Sequence, residues 1–358
     1  MVNNNSITRK QTLSLLIPGL LGPDFTDKEN EPAIPTLPML ETILSRSRLS
    51  ITDQTGYEAI VFRLFDVECS RVTDLPVAAV TRIYDQDSNK DEWCMRADPV
   101  YLQAEKDCLR LVDSKQLRLD QEQADALVAE IMASFSDDGW RLRALTPERW
   151  YLSLPATPSI RTTPVHRVIG RNIEPFLPQG PEGKKWQSLL NETQILLHTA
   201  PVNITREQRG ELPVNSLWFW GGGILPKINR SNWVEIWGNE PLLSGLARQS
   251  VTPTSELPAS FDVWQKNAVT TGNHLLVLDQ ARSAVCYQDF EDWQQFLQGL
   301  EMNWLEDACK AIYDGTLEAL HIYSDTGHTF RFNKKSGKRW WKRKRSLGYF
   351  RQKYLQTR

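Results

Sequence analysis

Leu217-Trp218-Phe219-Trp220 runs directly into Gly221-Gly222-Gly223, and this junction constrains the fold more than any other stretch of the 358-residue chain. Three large rings in four residues demand burial, so Leu217–Trp220 predicts a short strand covered on both faces. Three consecutive glycines give up side-chain packing and add backbone freedom, which costs folding free energy. A chain accepts that cost where its backbone turns sharply or approaches something closely. The glycines are therefore expected to form a turn, which either closes a central strand or faces a ligand. Asn203, Arg206, Arg209 and Asn215 lie close by in sequence, and guanidinium forks suit carboxylate or phosphate. Glycine N–H groups can also cradle an anion. With Trp218, Trp220, Gly221, Gly222 and Gly223 they make a candidate site for an anionic small molecule. Gln194 and His198, at i and i+4 on a preceding helix near Asn191, join that set if their face looks at the turn; otherwise they form a solvated strip or a core hydrogen-bond network. Neither GxGxxG nor GxxxxGK[ST] occurs, so a nucleotide loop is not implied.

The chain is long enough for one large or two ordinary domains, and 41% apolar with 24% charged residues is ordinary for a globular protein. Thirteen tryptophans supply large surfaces for burial, each with an indole N–H that needs a partner. The five cysteines (Cys69, Cys94, Cys108, Cys286, Cys309) are scattered without a CxxC pair. That argues against a disulfide framework or zinc site and fits a reducing, cytoplasmic setting. No apolar run approaches the ~18 residues of a membrane span. Leu13–Leu21 is short, broken by Pro18 and Gly19 and followed by acids, so it reads as a first core strand rather than a signal peptide.

Residues 1–10 are polar and expected to be loose, and 26–35 form an acidic loop. Strands are expected at Leu13–Ile17, Val77–Tyr84, Leu109–Val112, Trp140–Leu145, Trp150–Leu154, Leu275–Leu278 and Ala319–Tyr323. Helices are expected at Leu37–Ser47, Tyr57–Phe65, Asp120–Phe135, Trp186–Thr199, Pro241–Arg248 and, as one long element, Phe290–Ile312. Residues 155–183 hold six prolines and predict an extended, turn-rich stretch. Strands alternating with helices indicate an α/β fold.

Several stretches carry a resemblance. Leu15–Pro23 (LLIPGLLGP), Ile34–Leu44 (IPTLPMLETIL), Leu75–Arg82 (LPVAAVTR), Arg96–Pro99 (RADP), Glu148–Leu152 (ERWYL), Leu190–His198 (LNETQILLH) and Pro201–Pro226 with its NSLWFWGGG centre resemble the bacterial regulatory-protein family of the RpfE type. More distantly, Pro201-Val202-Asn203, Arg206, Gly210, Pro213, Asn215 and Trp218–Gly221 are similar to the PvN…R…G…P…WlWG stretch of archaeal-type cofactor-independent phosphoglycerate mutases, of the alkaline-phosphatase-like superfamily. The resemblance implies an α/β core with an inserted α+β region: 1–70 and 195–333 as the two parts of the core, 71–194 as the insert. It also implies a two-metal site of Asp and His ligands with a Ser or Thr nucleophile, because paired metals neutralise phosphate and activate the nucleophile. This chain departs from that pattern. The first strand ends in Pro18-Gly19 where an Asp-Gly pair is expected. Asp279 is followed by Arg282 and no histidine, and Asp325 and His328 stand at the wrong spacing and read as a turn. No metal or cofactor is therefore expected.

Residues 334–358 contribute +11 to a net charge of −2, so the preceding 333 residues carry −13. In Lys338, Arg339, Trp340, Trp341, Lys342, Arg343, Lys344 and Arg345, bases interleave with two indoles. Such a tail docks on its own acidic body, remains solvated, or contacts nucleic acid or an anionic membrane. Three functions follow: a non-catalytic, mutase-like protein with a regulatory or binding role; an active phosphoryl-transfer or phosphate-ester hydrolase; or an adaptor acting through its tail.

Overall fold

The computed structural model describes residues 11–23, 32–68, 74–86, 92–137 and 139–355. The readings for residues 1–10, for the first part of the 26–35 loop and for Cys69 lie outside them. Two compact units are formed, one from Met1–Asp66 with Ile228–Arg358 and one from Val67–Lys227. In chain order the strands are β1 Gln11–Ile17, β2 Arg48–Ile51, β3 Cys94–Ala104, β4 Leu109–Val112, β5 Arg141–Thr146, β6 Arg149–Ser153, β7 Ser216–Gly223, β8 Glu235–Trp237, β9 Thr254–Ser255, β10 Asn273–Val277, β11 Leu317–Ser324 and β12 His328–Asn333.

Among the described residues, the discontinuous unit carries a seven-stranded sheet in the order β2-β12-β11-β1-β10-β8-β9. Strands β11, β1, β10, β8 and β9 run parallel, and the β11–β12 hairpin with β2 adds an antiparallel edge. β1 is central: Leu15 faces Leu276 on one side and Ile322 on the other. Leu13, Leu15, Leu16 and Ile17 are all fully buried, as a parallel strand covered on both faces requires. The expected long helix 290–312 is three pieces, Phe290–Leu300, a π-helical turn Glu301–Leu305 and Glu306–Asp314. The wide turn turns Glu301 onto the neighbouring helix Pro38–Arg46, where it accepts from Met39 N at 2.5 Å and Leu40 N at 2.9 Å. Those N–H groups start a helix and lack intrahelical partners.

The basic segment is not a loose tail. Helices Lys334–Gly337 and Leu347–Leu355 belong to the same unit, and Leu347, Phe350 and Tyr354 enter its core. Arg351 is buried between them. Its guanidinium donates to Leu21 O and Pro23 O and lies 4.7 Å from the Trp293 ring.

The contiguous unit has a five-stranded sheet, β4-β3-β6-β5 with β7 on the other edge of β3. β7 pairs antiparallel with β3 over Cys94–Val100. The NSLWFWGGG strand therefore lies in the inserted unit, which runs to Lys227, and the boundary expected at residue 194 is corrected by that pairing. The glycines are corrected too: they do not turn but continue the strand to Gly223. Trp220 faces Arg96 and Gly223 faces Cys94, so Gly221 and Gly222 together oppose Met95, and Gly221 has φ +67°. This is a β-bulge with glycine in the left-handed position. Pro76 lies where a Cβ on Gly223 would sit, at 2.6 Å, and the Trp93 ring does the same at Gly222.

Val77–Tyr84, expected as a strand, lies in a helix, Val77–Gln86. Val77 to Ile83 are buried without a break, so neither the strand nor the helix period shows in its apolar pattern. β3 was not anticipated at all. Its buried Arg96 and Asp98 break the apolar run, and Pro99 argues against a central strand. Pro99 is tolerated because, opposite β7, β6 pairs only at 94–96 and β4 only at 101–104. The Pro201–Gln208 helix and β12 were also not anticipated.

Candidate functional site

In an open α/β sheet, ligands gather beyond the carboxyl ends of the parallel strands. Here those ends present Pro18-Gly19 after β1, Asp279 after β10 and Asp325 after β11. Asp325 Oδ1 accepts from Gly19 N at 3.2 Å, and its carbonyl accepts from Gly56 N at 2.7 Å. Gly56 leads into the helix Tyr57–Leu64. Tyr57 and Glu58 are buried. Tyr57 OH donates to Glu240 Oε2 at 2.7 Å, and the same oxygen caps the Pro241–Gln249 helix through Leu243 N at 2.9 Å. Arg282, on the helix after Asp279, donates to Glu58 Oε1 at 3.2 Å and stacks 4.4 Å from the Tyr57 ring centre. Burial, then the Glu240 carboxylate, push the Tyr57 phenol well above its usual range, so it stays protonated.

These residues do not fit a pair of metal ions. Pro18 has no side-chain ligating atom, and Arg282 brings a guanidinium, ion-paired with Glu58, to the edge where cations are expected. Thr326 and Gly327 stand between Asp325 and His328 in the chain; His328 Nδ1 lies 2.9 Å from Thr326 Oγ1, and its ring centre packs 3.9 Å from that of Tyr354. Asp325-Thr326-Gly327 forms the turn of the β11–β12 hairpin, as its turn chemistry implies. Among the described residues no group of three or more His, Cys, Asp or Glu is placed to hold a metal ion.

In the inserted unit, period-2 alternation splits the Trp/Gly strand. Leu217 and Phe219 join the core, Phe219 edge-on to Trp186 at 5.0 Å and Trp140 at 5.8 Å. Trp218 Nε1 donates to Thr163 O at 2.8 Å. Trp220 Nε1 donates to Asp98 Oδ2 at 2.7 Å. Asp98 also takes two bonds from Arg96, at 2.8 and 2.6 Å. The Arg96 guanidinium lies between the Trp220 and Tyr151 rings, at 5.3 and 5.4 Å. Tyr151 OH donates to Asp85 Oδ2 at 2.5 Å, and Arg149 grips the same carboxylate with two bonds. The RADP, ERWYL and NSLWFWGGG stretches therefore meet in one buried polar network. Burial raises the Asp98 carboxyl above its ordinary value, against the opposing pull of Arg96.

The remaining expected site residues divide. Asn203 ties Leu197 O to the N–H and carbonyl of Val214. Asn215 bridges both backbone groups of Leu102. Arg206, 2% exposed, donates to Leu212 O, Leu117 O and Gln123 and pairs with Glu211 at 3.2 Å. These three spend their donors inside the fold and do not form an anion site. Arg209 and His198 are exposed. Gln194 and Trp218 do converge, on a cavity together with Asn191. In the basic segment Arg339 donates to Arg46 O, Lys342 to Ser47 O, and Lys344 pairs with Glu41 at 3.2 Å. Arg345 lies over the Tyr349 ring, while Lys338 and Arg343 are exposed. Trp340 and Trp341 stand 80% and 67% exposed.

The parallel core interrupted by an α+β unit defines a discontinuous α/β fold. A solved protein of Pyrococcus horikoshii shares that fold, with a TM-score of 0.51 at 15% identity over 91% of this chain and 88% of that one. The cofactor-independent phosphoglycerate mutase of Thermoplasma acidophilum aligns over 91% and 90%, with a TM-score of 0.38 at 16% identity. In sequence the chain is 43% identical over 66 residues to the 2,3-bisphosphoglycerate-independent phosphoglycerate mutase of Methanosarcina barkeri, 18% of this chain and 17% of that enzyme. The Methanosarcina acetivorans enzyme is 30% identical over 105 residues, 27% and 26% of the two chains. The chain thus matches about a sixth to a quarter of the length of these curated relatives. It is distantly similar to archaeal-type cofactor-independent phosphoglycerate mutases. No protein-family model matches it. Among the described residues, no helix is long and apolar enough to cross a membrane.

Proposed function

We propose that this chain is a bacterial, cytoplasmic protein that keeps a phosphoglycerate-mutase-like fold for a binding or regulatory role and does not transfer phosphoryl groups. The observation that carries this reading is the Arg282–Glu58 ion pair, stacked on Tyr57 at the strand ends. Phosphoryl transfer of this superfamily draws on the charge of two metal ions. A single guanidinium already compensated by a carboxylate supplies neither that charge nor a Lewis acid. The resemblance of its sequence stretches to the RpfE-type family favours a regulatory rather than a glycolytic role in this proposal, and the chain then needs neither metal nor organic cofactor. The test is a purified protein supplied with Mn²⁺, Co²⁺ or Zn²⁺ and assayed for interconversion of 3- and 2-phosphoglycerate and for hydrolysis of p-nitrophenyl phosphate, with elemental analysis alongside. No turnover and no stoichiometric metal are expected. Turnover that depends on added metal overturns the reading in favour of an active enzyme.

A second reading rests on the exposed Trp340 and Trp341 beside Lys338 and Arg343. Indoles between cations suit an adaptor on nucleic acid or anionic lipid. Removing residues 334–358 is a poor test, because Leu347–Leu355 carries core residues. The double variant Trp340→Ala/Trp341→Ala leaves that helix intact and is expected to abolish salt-sensitive binding to single-stranded DNA, RNA or anionic vesicles. Undiminished binding dismisses this role.

A further inference from the structure

The inserted unit holds a cavity of about 480 Å³, within the range of small-molecule sites. Its apolar lining comes from Leu102, Leu109, Ile173, Leu177, Leu190 and the Trp218 ring. Its polar lining is dominated by four carboxamides, Asn172, Gln187, Asn191 and Gln194. Gln187, Leu190, Asn191 and Gln194 recur at i, i+3, i+4 and i+7 and so present one stripe of the Gly183–His198 helix to the cavity. Asn172 and Gln187 spend part of their capacity on the protein, through Glu174 N and Pro178 O. The side chains of Asn191 and Gln194 make no hydrogen bond with the described residues, so their amides remain available to a ligand.

Charge selects the class of ligand. Among the described residues lining the cavity there is no Lys, Arg or His, but there are two carboxylates, Glu105 and Glu174. Glu105 is compensated by Arg110 at 2.7 Å. The Glu174 carboxylate has no partner among the described residues. An anion would enter with no cation to meet it and one carboxylate to repel it. A cation with an apolar body would meet Glu174 and the amide oxygens, and could set an aromatic or aliphatic face against Trp218 and Leu190. We infer that this cavity is a binding site for a small organic cation, an amine carried on an aromatic or aliphatic body, and that it reads amide contacts through Asn191 and Gln194. The expected anion at the Trp/Gly segment is thereby replaced by a ligand of opposite charge on the Trp218 side of the same strand. The inference does not depend on whether the α/β unit is catalytic, because every residue it uses lies between Leu102 and Trp218.

Three probes of one shape and different charge test it on the full chain: tryptamine, tryptophol and indole-3-acetate, titrated by calorimetry and ligand-observed NMR. Tryptamine is expected to bind saturably and at least about tenfold more tightly than indole-3-acetate. Glu174→Gln should erase most of that ratio while leaving tryptophol unchanged. Asn191 is exposed, so Asn191→Trp can fill the cavity without disturbing the core, and Gln194→Trp provides a second filling variant. Each should abolish binding of all three probes with unchanged thermal unfolding. Cys108, half-buried in the lining, gives a readout that needs no variant. Tryptamine should slow its alkylation by iodoacetamide, read by peptide mass mapping, while Cys286 in the other unit reacts at an unchanged rate. Failure of tryptamine to bind, equal or tighter binding of indole-3-acetate, or binding and Cys108 labelling untouched by the filling variants each overturns the inference.

Discussion

Single residues show why the most conspicuous sequence feature is structural first. Gly223 sits where a Cβ would meet Pro76 Cβ at 2.6 Å and its Cα at 2.9 Å. The second of these is backbone and cannot swing aside. Gly223→Ala is therefore expected to destabilise the inserted unit by about 1–3 kcal/mol, the usual cost of overpacking, seen as a lower denaturant midpoint. A midpoint equal to wild type would show that the helix start gives way without cost. His321 provides a pH-dependent counterpart. It stands opposite Arg331 in the β11–β12 hairpin, and burial, with help from that guanidinium, lowers its imidazole to about 4. A histidine with a folded pKa below its unfolded value of about 6.5 binds fewer protons in the native state. Its contribution is present above the unfolded pKa and is lost as pH falls through the window down to about 4. Because the ring is half-buried, the loss is on the order of 2 kcal/mol. Urea midpoints at about pH 7.5 and about pH 4.5 should converge more closely for His321→Gln than for wild type. Equal slopes would remove His321 from the account.

At the scale of elements, the basic segment is where the structure most changes the reading of the sequence. Leu347, Phe350, Arg351 and Tyr354 fall at i, i+3, i+4 and i+7, the spacing of a buried helical stripe. Arg351 interrupts the stripe with a charge, so composition reads as a solvated tail. Its burial works because two carbonyls accept from it and an indole covers it. Phe350→Ala is expected to cost about 3–5 kcal/mol, as for other large core truncations, measured by chemical denaturation. A cost below about 1 kcal/mol would return the segment to the status of a loose arm. Elsewhere, elements whose periodicity was clean were legible: β1, the Gln121–Phe135 helix capped by Asp120, and the β5–β6 hairpin. Elements whose polarity is resolved only by a partner were not. β3 hides behind Arg96 and Asp98, charges that make sense only once Trp220 and Tyr151 lie beside them. The polar face of the Gly183–His198 helix showed that Gln194 was a candidate. The cavity beside it needed Leu102 and Ile173, which no local spacing connects to it.

For the whole molecule, connectivity makes a prediction about independence. The Val67–Lys227 unit is contiguous and carries its own core, so a fragment of 67–227 is expected to fold cooperatively by circular dichroism and amide dispersion. The other unit is split, and β1 takes its partners from residues 273–324, so 1–66 and 228–358 should each remain unfolded alone and recover structure only when mixed. A folded 228–358 fragment would contradict that expectation. The central place of β1 also sets a schedule on the ribosome. The strand made first is flanked by the strands made nearly last, so at roughly 5–20 residues per second it waits about 10–50 s for a neighbour. Throughout that interval the four apolar side chains of β1, Leu13, Leu15, Leu16 and Ile17, are without their final pairing and cover while the inserted unit is completed. Chaperone capture of nascent chains should therefore centre on residues 11–17 and end once β11 has emerged.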